Sequence, residues 1–331
     1  MPLRRAQGER VSETPRVLVI GGLGFIGVNL TERLAGSGCV VTVVTRSRER
    51  HAERATELER RGVRIIEGDL RDARAMINAV ADQQLVFNLA GESGAVRSME
   101  DPWTDLDVNC RGNLVLLEAL RAANRDAKLV FVGSRLQYGR QTTQPVSEDQ
   151  PSDPLCLHAI HKQTVEQYLR LYAALFGLRF TIARVTNPYG PGQPRERTAY
   201  GVVNRLIQLA LAARTLPIYG DGTQRRDYVH VDDVVSALVM MSQSPASDGR
   251  AFNVGSGIGT RMIDMAEAIV DMAGGGRIEH VAWPSLASQI ETGDFIADVS
   301  RIRTELGWVP SLSLRDGLRK TITFYQAHVA S

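Results

Sequence analysis

Apolar positions along this chain recur with two periods. Val17-Leu18-Val19-Ile20 is a short continuous apolar run, and beyond a glycine-rich loop Ile26, Leu30 and Leu34 follow at four-residue spacing. The first reads as a buried strand and the second as the inner face of a helix. Val40 to Val44 predicts a second strand, Val63 to Glu67 a third, Leu85 to Leu89 a fourth and Lys128 to Val132 a fifth. Trp103 to Ala123 has helical spacing at Leu106, Leu114, Leu117 and Leu120, which predicts one long core-facing helix. Leu155 to Lys162 opens another amphipathic helix, continued by Val165, Leu169, Tyr172 and Phe176. Strands and helices alternating at about thirty residues per unit predict the α/β class, a doubly wound parallel sheet with helices on both faces. After Asn187-Pro188-Tyr189-Gly190-Pro191-Gly192, a rigid turn cluster, the pattern breaks into shorter strands and helices with loops at Gly220-Asp221-Gly222 and Gly255-Ser256-Gly257. The expected organisation is a Rossmann-type domain over residues 16–186. A smaller mixed α/β region over 187–331 is expected to follow, interleaved with the last strands of the sheet.

The loop between the first strand and helix reads GGLGFIG, Gly21 to Gly27. A tight strand-to-helix turn needs residues that accept positive φ, and a backbone approaching a pyrophosphate has no room for a Cβ. Gly21, Gly24 and Gly27 meet both needs. The amides that open the helix, at Phe25, Ile26 and Gly27, supply an anion site. The other reading is a glycine turn that only packs helix on strand. At the end of the second strand, Thr45-Arg46-Ser47-Arg48 lacks the acid that would bind ribose hydroxyls and repel an added phosphate. Arg46 beside Thr45 favours a phosphate, which admits NADP as well as NAD, unless these arginines are only a solvated loop. Asp69, next to Leu70, either faces an adenine or caps the helix beginning near Asp72. Leu89, Ala90 and Gly91 are placed to let the backbone pass close to the cofactor.

Composition narrows the class. With 331 residues, 44% of them apolar, the chain builds a full core, and a formal charge of +2 with scattered arginines argues against nucleic acid. Cys39, Cys110 and Cys156 are too few for a disulfide framework or a metal cluster, which fits a reducing cytoplasm. Residues 1–15 are polar and charged and read as a loose leader, not a secretion signal, and no apolar run approaches membrane-spanning length.

Taken together the residues resemble the extended short-chain dehydrogenase/reductase family, in its nucleotide-sugar epimerase/dehydratase branch. The resemblance rests on GGLGFIG, Asn88-Leu89-Ala90-Gly91, Asp107-Val108-Asn109, Gly133-Ser134 with Tyr138-Gly139, RVTNPYGPG from Arg184 to Gly192, and GDGTQRRDYVHVDDV from Gly220 to Val234. Phe252-Asn253-Val254-Gly255 and Leu306-Gly307-Trp308 complete it in family order. It implies NAD or NADP as cofactor, held in part by Asn109 and Lys162, a nucleotide-diphosphate sugar as substrate, and a homodimer formed by the helices of 103–123 and 162–176.

The resemblance also implies a catalytic serine, tyrosine and lysine, of which Ser134 and Lys162 match. The tyrosine position is His158. A neutral imidazole can accept a hydroxyl proton, and the positive Lys162 nearby would depress its pKa and favour that form. Alternatively His158 only caps or packs at the helix start. His161, one turn on, is expected as a packing residue beside it. Asn187, Arg226 and Asp298 match substrate-anchoring positions. The other readings are a turn residue for Asn187 and an ion pair with Asp227 or Asp233 for Arg226. An arginine that relatives carry just before Gly293-Asp294 is missing, and Glu291 lies in that stretch. The two positions after Ser134, acid/base residues in the 4,6-dehydratases, are Arg135 and Leu136. What remains is a 4-epimerase that oxidises C4 and returns the hydride, an NADPH-dependent keto-sugar reductase, or a non-catalytic cofactor- or sugar-nucleotide-binding protein.

Overall fold

The computed structural model describes residues 14–193 and 201–329, so most of the expected leader lies outside the described residues. In chain order its first half runs β1 (Arg16–Ile20), α1 (Phe25–Gly36), β2 (Val40–Thr45), α2 (Ala52–Arg60), β3 (Arg64–Glu67), α3 (Ala73–Val80), β4 (Leu85–Asn88), α4 (Ala95–Glu100), α5 (Pro102–Leu106), α6 (Gly112–Ala123), β5 (Lys128–Ser134), α7 (Leu157–Phe176) and β6 (Arg179–Val185). The second half runs β7 (Asn187–Tyr189), α8 (Val202–Leu211), β8 (Thr215–Tyr219), β9 (Arg225–His230), α9 (Val231–Gln243), β10 (Ala251–Val254), β11 (Gly259–Arg261), α10 (Met262–Ala273), β12 (Arg277–Val281), α11 (Ser285–Gln289), α12 (Ser300–Leu306) and α13 (Leu314–Val329).

Seven strands form one sheet in the order β10-β6-β5-β4-β1-β2-β3, every pairing parallel. The chain belongs to the doubly wound α/β class, as the alternation predicts. Period-2 geometry sorts each strand between two cores. Val17 and Val19 of β1, with Val130 and Val132 of β5, pack against α1 and α9. Leu18 and Ile20, with Leu129 and Phe131, pack against α3, α6 and α7. Strand order reverses between β1 and β4, so connections leave that point in opposite directions and open a crevice beyond the carboxyl ends. A third core, built on α8, α10 and α13, holds the smaller strands β8 and β9.

Several sequence expectations change in detail. The 103–123 segment is α5, a π turn over Asp107–Arg111, and α6. The π turn inserts a residue into the helical phase, so spacing counted across it does not map to one face. Leu117 and Leu120 are buried as expected, but Leu106 and Leu114 are exposed. The turn cluster at 187–192 begins as β7, which pairs with β9. Ser134, expected just past β5, is its last residue. Asp72, and not Asp69, caps α3, its side chain accepting from the amides of Arg74 and Ala75.

Candidate active site

The glycine turn explains why the crevice can come so close to the backbone. Gly21 has φ of 82°, and a Cβ there would stand 2.8 Å from the Ala90 nitrogen. A Cβ on Gly27 would stand 2.2 Å from the Gly21 carbonyl oxygen. Both contacts are with backbone, which has no rotamer by which to move away. Helix α1 starts at this turn with no side-chain cap and no acidic residue in its first turn, so its amides face the crevice without a competing acceptor. These features fit a phosphate-bearing ligand laid across the turn.

A cavity of about 890 Å³ spans the crevice. Gly21, Gly24, Phe25, Ile26, Gly27, Thr45, Arg46, Asp69, Leu70, Leu89, Ala90 and Gly91 line it, as do Ser134, His158, Lys162 and Asn187. Three of the expected site residues lie outside its wall. Asn109 is fully buried behind it, its amide donating to the Glu92 carbonyl, so it braces the loop after β4. The Asp298 carboxylate accepts from the Ser300 amide at the start of α12. Arg226 donates to the Gly293 carbonyl and is ion-paired with Glu291, neither Asp227 nor Asp233. Asp227 instead takes the amides of Ser256, Gly257 and Ala297.

The helix start of α7 brings the chemistry together. His158 and Lys162 are one turn apart and both reach the cavity wall. Lys162 Nζ donates to the Val132 carbonyl at 2.9 Å and lies 4.8 Å from the Phe131 ring centroid. Burial pushes its pKa down to about 8, against the pull of Asp105. Ser134 accepts the Leu136 amide at 3.2 Å, while its own amide donates to Gln137 Oε1 at 2.9 Å, which fixes the side chain at the end of β5. Tyr138 cannot stand in for the missing tyrosine. It is fully buried, donates to Asn253 Oδ1 at 2.7 Å, and burial raises its pKa to about 12.

The carboxylate behind His158 escaped the sequence reading. Asp105 of α5 is 3% exposed; its Oδ1 is 2.6 Å from His161 Nδ1 and its Oδ2 is 3.8 Å from His158 Nδ1. That His158 nitrogen is buried without a hydrogen-bond partner among the described residues. Burial alone would raise the Asp105 pKa, but His158, Asn109 and His161 hold it down at about 2. Burial pushes the His158 pKa below its ordinary value, with Lys162 adding to the fall and Asp105 opposing it. The ionised Asp105 on the Nδ1 side and the Glu92 carbonyl both favour a proton on the ring, against burial and Lys162. The only advance signal was an acid two residues before Asp107-Val108-Asn109, and nothing local links it to α7.

Glu92 is the other omission. Its carboxylate accepts from Arg46 at 2.8 Å and lies 3.6 Å from Arg97, so the cation expected to read a phosphate on the cofactor's ribose already has an anionic partner. On the far wall, Tyr219 and Trp283 stack with centroids 5.1 Å apart, next to Leu286 and Ile290.

The sequence profile of the NAD dependent epimerase/dehydratase family matches residues 17–255. The chain is 34% identical over 317 residues to a UDP-glucose 4-epimerase of Mycolicibacterium smegmatis, covering 94% of this chain and 98% of the relative. Among solved structures it is similar to the UDP-glucose 4-epimerase of Thermotoga maritima with UDP-glucose, at 28% identity and a TM-score of 0.86, covering 95% of this chain and 99% of that one. It is likewise similar to MoeE5 in complex with UDP-glucuronic acid and NAD, at 26% identity and a TM-score of 0.83, with coverage of 95% and 99%.

The balance of charges around His158 predicts its titration. By NMR its ring titrates below the ordinary imidazole value of about 6.5. Asp105→Asn removes the group that holds the proton on, so the midpoint moves lower still. A midpoint unmoved by the substitution would remove Asp105 from the account.

Proposed function

The chain belongs to the NAD dependent epimerase/dehydratase family, and from that membership we propose that it is a nucleotide-sugar 4-epimerase in which His158 replaces the usual tyrosine. The observation that carries this reading is the convergence of Ser134, His158 and Lys162 on the wall of a cavity floored by the glycine turn. NAD, when bound, supplies the acceptor and donor of a hydride. Residues 16–186 hold it, with the α1 amides on its pyrophosphate, and residues 187–331 supply most of the sugar-nucleotide side. The Ser134 hydroxyl bonds the sugar's C4 hydroxyl. His158 Nε2 would take the proton of the C4 hydroxyl as the hydrogen on C4 leaves as hydride, and would return it to the oxygen when the hydride comes back to the rotated keto-sugar, while Asp105 steadies the transient imidazolium. Lys162 keeps a positive charge beside this centre. Leu136 carries no transferable proton, so chemistry at C5 and C6 is not supported.

Interconversion of UDP-glucose and UDP-galactose, followed chromatographically with no net change at 340 nm, tests the reading. His158→Phe lowers kcat by about 10²–10⁴ while the protein keeps its cofactor, and His158→Tyr preserves or raises turnover. Normal turnover in the Phe variant removes His158 as the base.

Arg46 in the cavity wall favours a second reading, a keto-sugar reductase that consumes NADPH. The Glu92 ion pair works against it by neutralising the arginine. Glu92→Gln is expected to shift preference roughly tenfold towards NADP, the worth of one charge-assisted bond, and Arg46→Asp to shift it towards NAD. Unchanged affinity ratios in both variants exclude Arg46 from cofactor choice.

The same reading makes the protein a homodimer. Trp103 (77% exposed), Leu106 and Leu114 on α5 and α6, and Leu171 (53%) and Leu175 (63%) on the adjoining α7, are apolar side chains left exposed on packed helices. The double substitution Trp103→Glu and Leu171→Glu yields a monomer by light scattering. A wild-type chain that is monomeric at micromolar concentration rules out the dimer.

A further inference from the structure

Arg135 follows Ser134 in a short 3-10 turn, Arg135–Tyr138, and lines the cavity although it is only 9% exposed. Its Nε donates to Asn187 Oδ1 at 3.2 Å and its Nη1 to Thr292 Oγ1 at 2.8 Å, and the guanidinium carbon lies 5.5 Å from the Phe295 ring centroid. An amide and a hydroxyl bring no negative charge. Among the described residues no carboxylate forms an ion pair with it, whereas the other two buried arginines each have one: Arg184 with Glu166 at 2.7 Å, and Arg226 with Glu291. Burial, with Arg226 nearby, lowers the Arg135 pKa to about 9, so the group stays charged at neutral pH. Glu291 and Asp227 act on it only from beyond ion-pair distance, so a buried cation with two neutral acceptors keeps a desolvation cost that an anion entering the cavity would offset.

The arginine expected to hold an anion here is Arg226, and it is set behind the wall and neutralised by Glu291, a residue of the wall itself. Arg135 is a cation of the wall itself, held beside Asn187. We propose that Arg135 reads the substrate's charge, its guanidinium binding an oxyanion of the sugar nucleotide. That oxyanion is either a carboxylate carried by the sugar or an oxygen of the diphosphate. The first source places the acid next to Ser134, at the reacting end of the sugar. The second moves the diphosphate contact from Arg226 to Arg135. The inference rests on the reading of this cavity as a sugar-nucleotide site.

Calorimetric titration of the cofactor-loaded protein with UDP, UDP-glucose and UDP-glucuronate, and with dTDP-glucose to cover a different base, tests it without requiring turnover. If the sugar carboxylate is the source, the wild-type protein binds UDP-glucuronate at least tenfold more tightly than UDP-glucose. Arg135→Gln then abolishes that difference and leaves UDP unchanged. If the diphosphate is the source, Arg135→Gln weakens every ligand at least tenfold and Arg135→Lys restores part of the loss. Because the substitution also removes an uncompensated buried charge, the ligand-free Gln variant melts at or above the wild-type temperature. A variant that binds every ligand within twofold of wild type, or one that melts lower with binding intact, overturns the proposal. A wild-type protein that binds none of the ligands instead overturns the sugar-nucleotide reading on which it stands.

Discussion

The rest of the site depends on one steric constraint, the closeness of the first strand-to-helix turn to the strand beside it. A Cβ on Gly21 would collide with the backbone at Ala90, and a Cβ on Gly27 with the Gly21 carbonyl. Without these glycines α1 could not start where it does, against β1 and β4 at the point where strand order reverses. The crevice exists because that reversal sends neighbouring connections apart, and the glycines keep its floor at backbone level. Ser134 then reaches the crevice from the end of β5, and His158 and Lys162 reach it from the start of α7.

Charges around that crevice are arranged in small groups whose members change each other's chemistry. Asp105 lies behind two imidazoles and favours the protonated His158 ring, while burial and Lys162 favour the neutral one. After β2 Glu92 occupies Arg46, and in β9 Glu291 occupies Arg226. In both places a carboxylate blunts the cation that sequence pattern alone singles out. Arg135 is the exception, a buried guanidinium held only by neutral groups. The role proposed for His158 draws on this setting, since a carboxylate behind an imidazole stabilises its protonated form and α5 provides one.

Much of the architecture was legible because it is written in local periodicity. The apolar run of β1, the glycine spacing and the stripe of Val165, Leu169 and Tyr172 each imply their element without reference to the rest of the chain. The long helix at 103–123 was read less well, because a π turn leaves no mark in residue spacing. The same limit hid Asp105, which acts on residues far away in sequence. Asn109, Arg226 and Asp298 resemble ligand-binding positions, but their side chains are committed to Glu92, Glu291 and Ser300.

By itself, then, the sequence determined the parallel sheet, the glycine turn and the placing of Ser134, His158 and Lys162 near the carboxyl ends of strands. These follow from backbone geometry, helical and strand periods, and spacing within single elements. Only the tertiary structure decided which charged side chains are free to meet a ligand. That depends on which partner stands within about 4 Å in a low-dielectric interior, and an ion pair between distant positions has no periodicity to announce it. Arg46 and Arg226 turned out to be paired, and Arg135 did not.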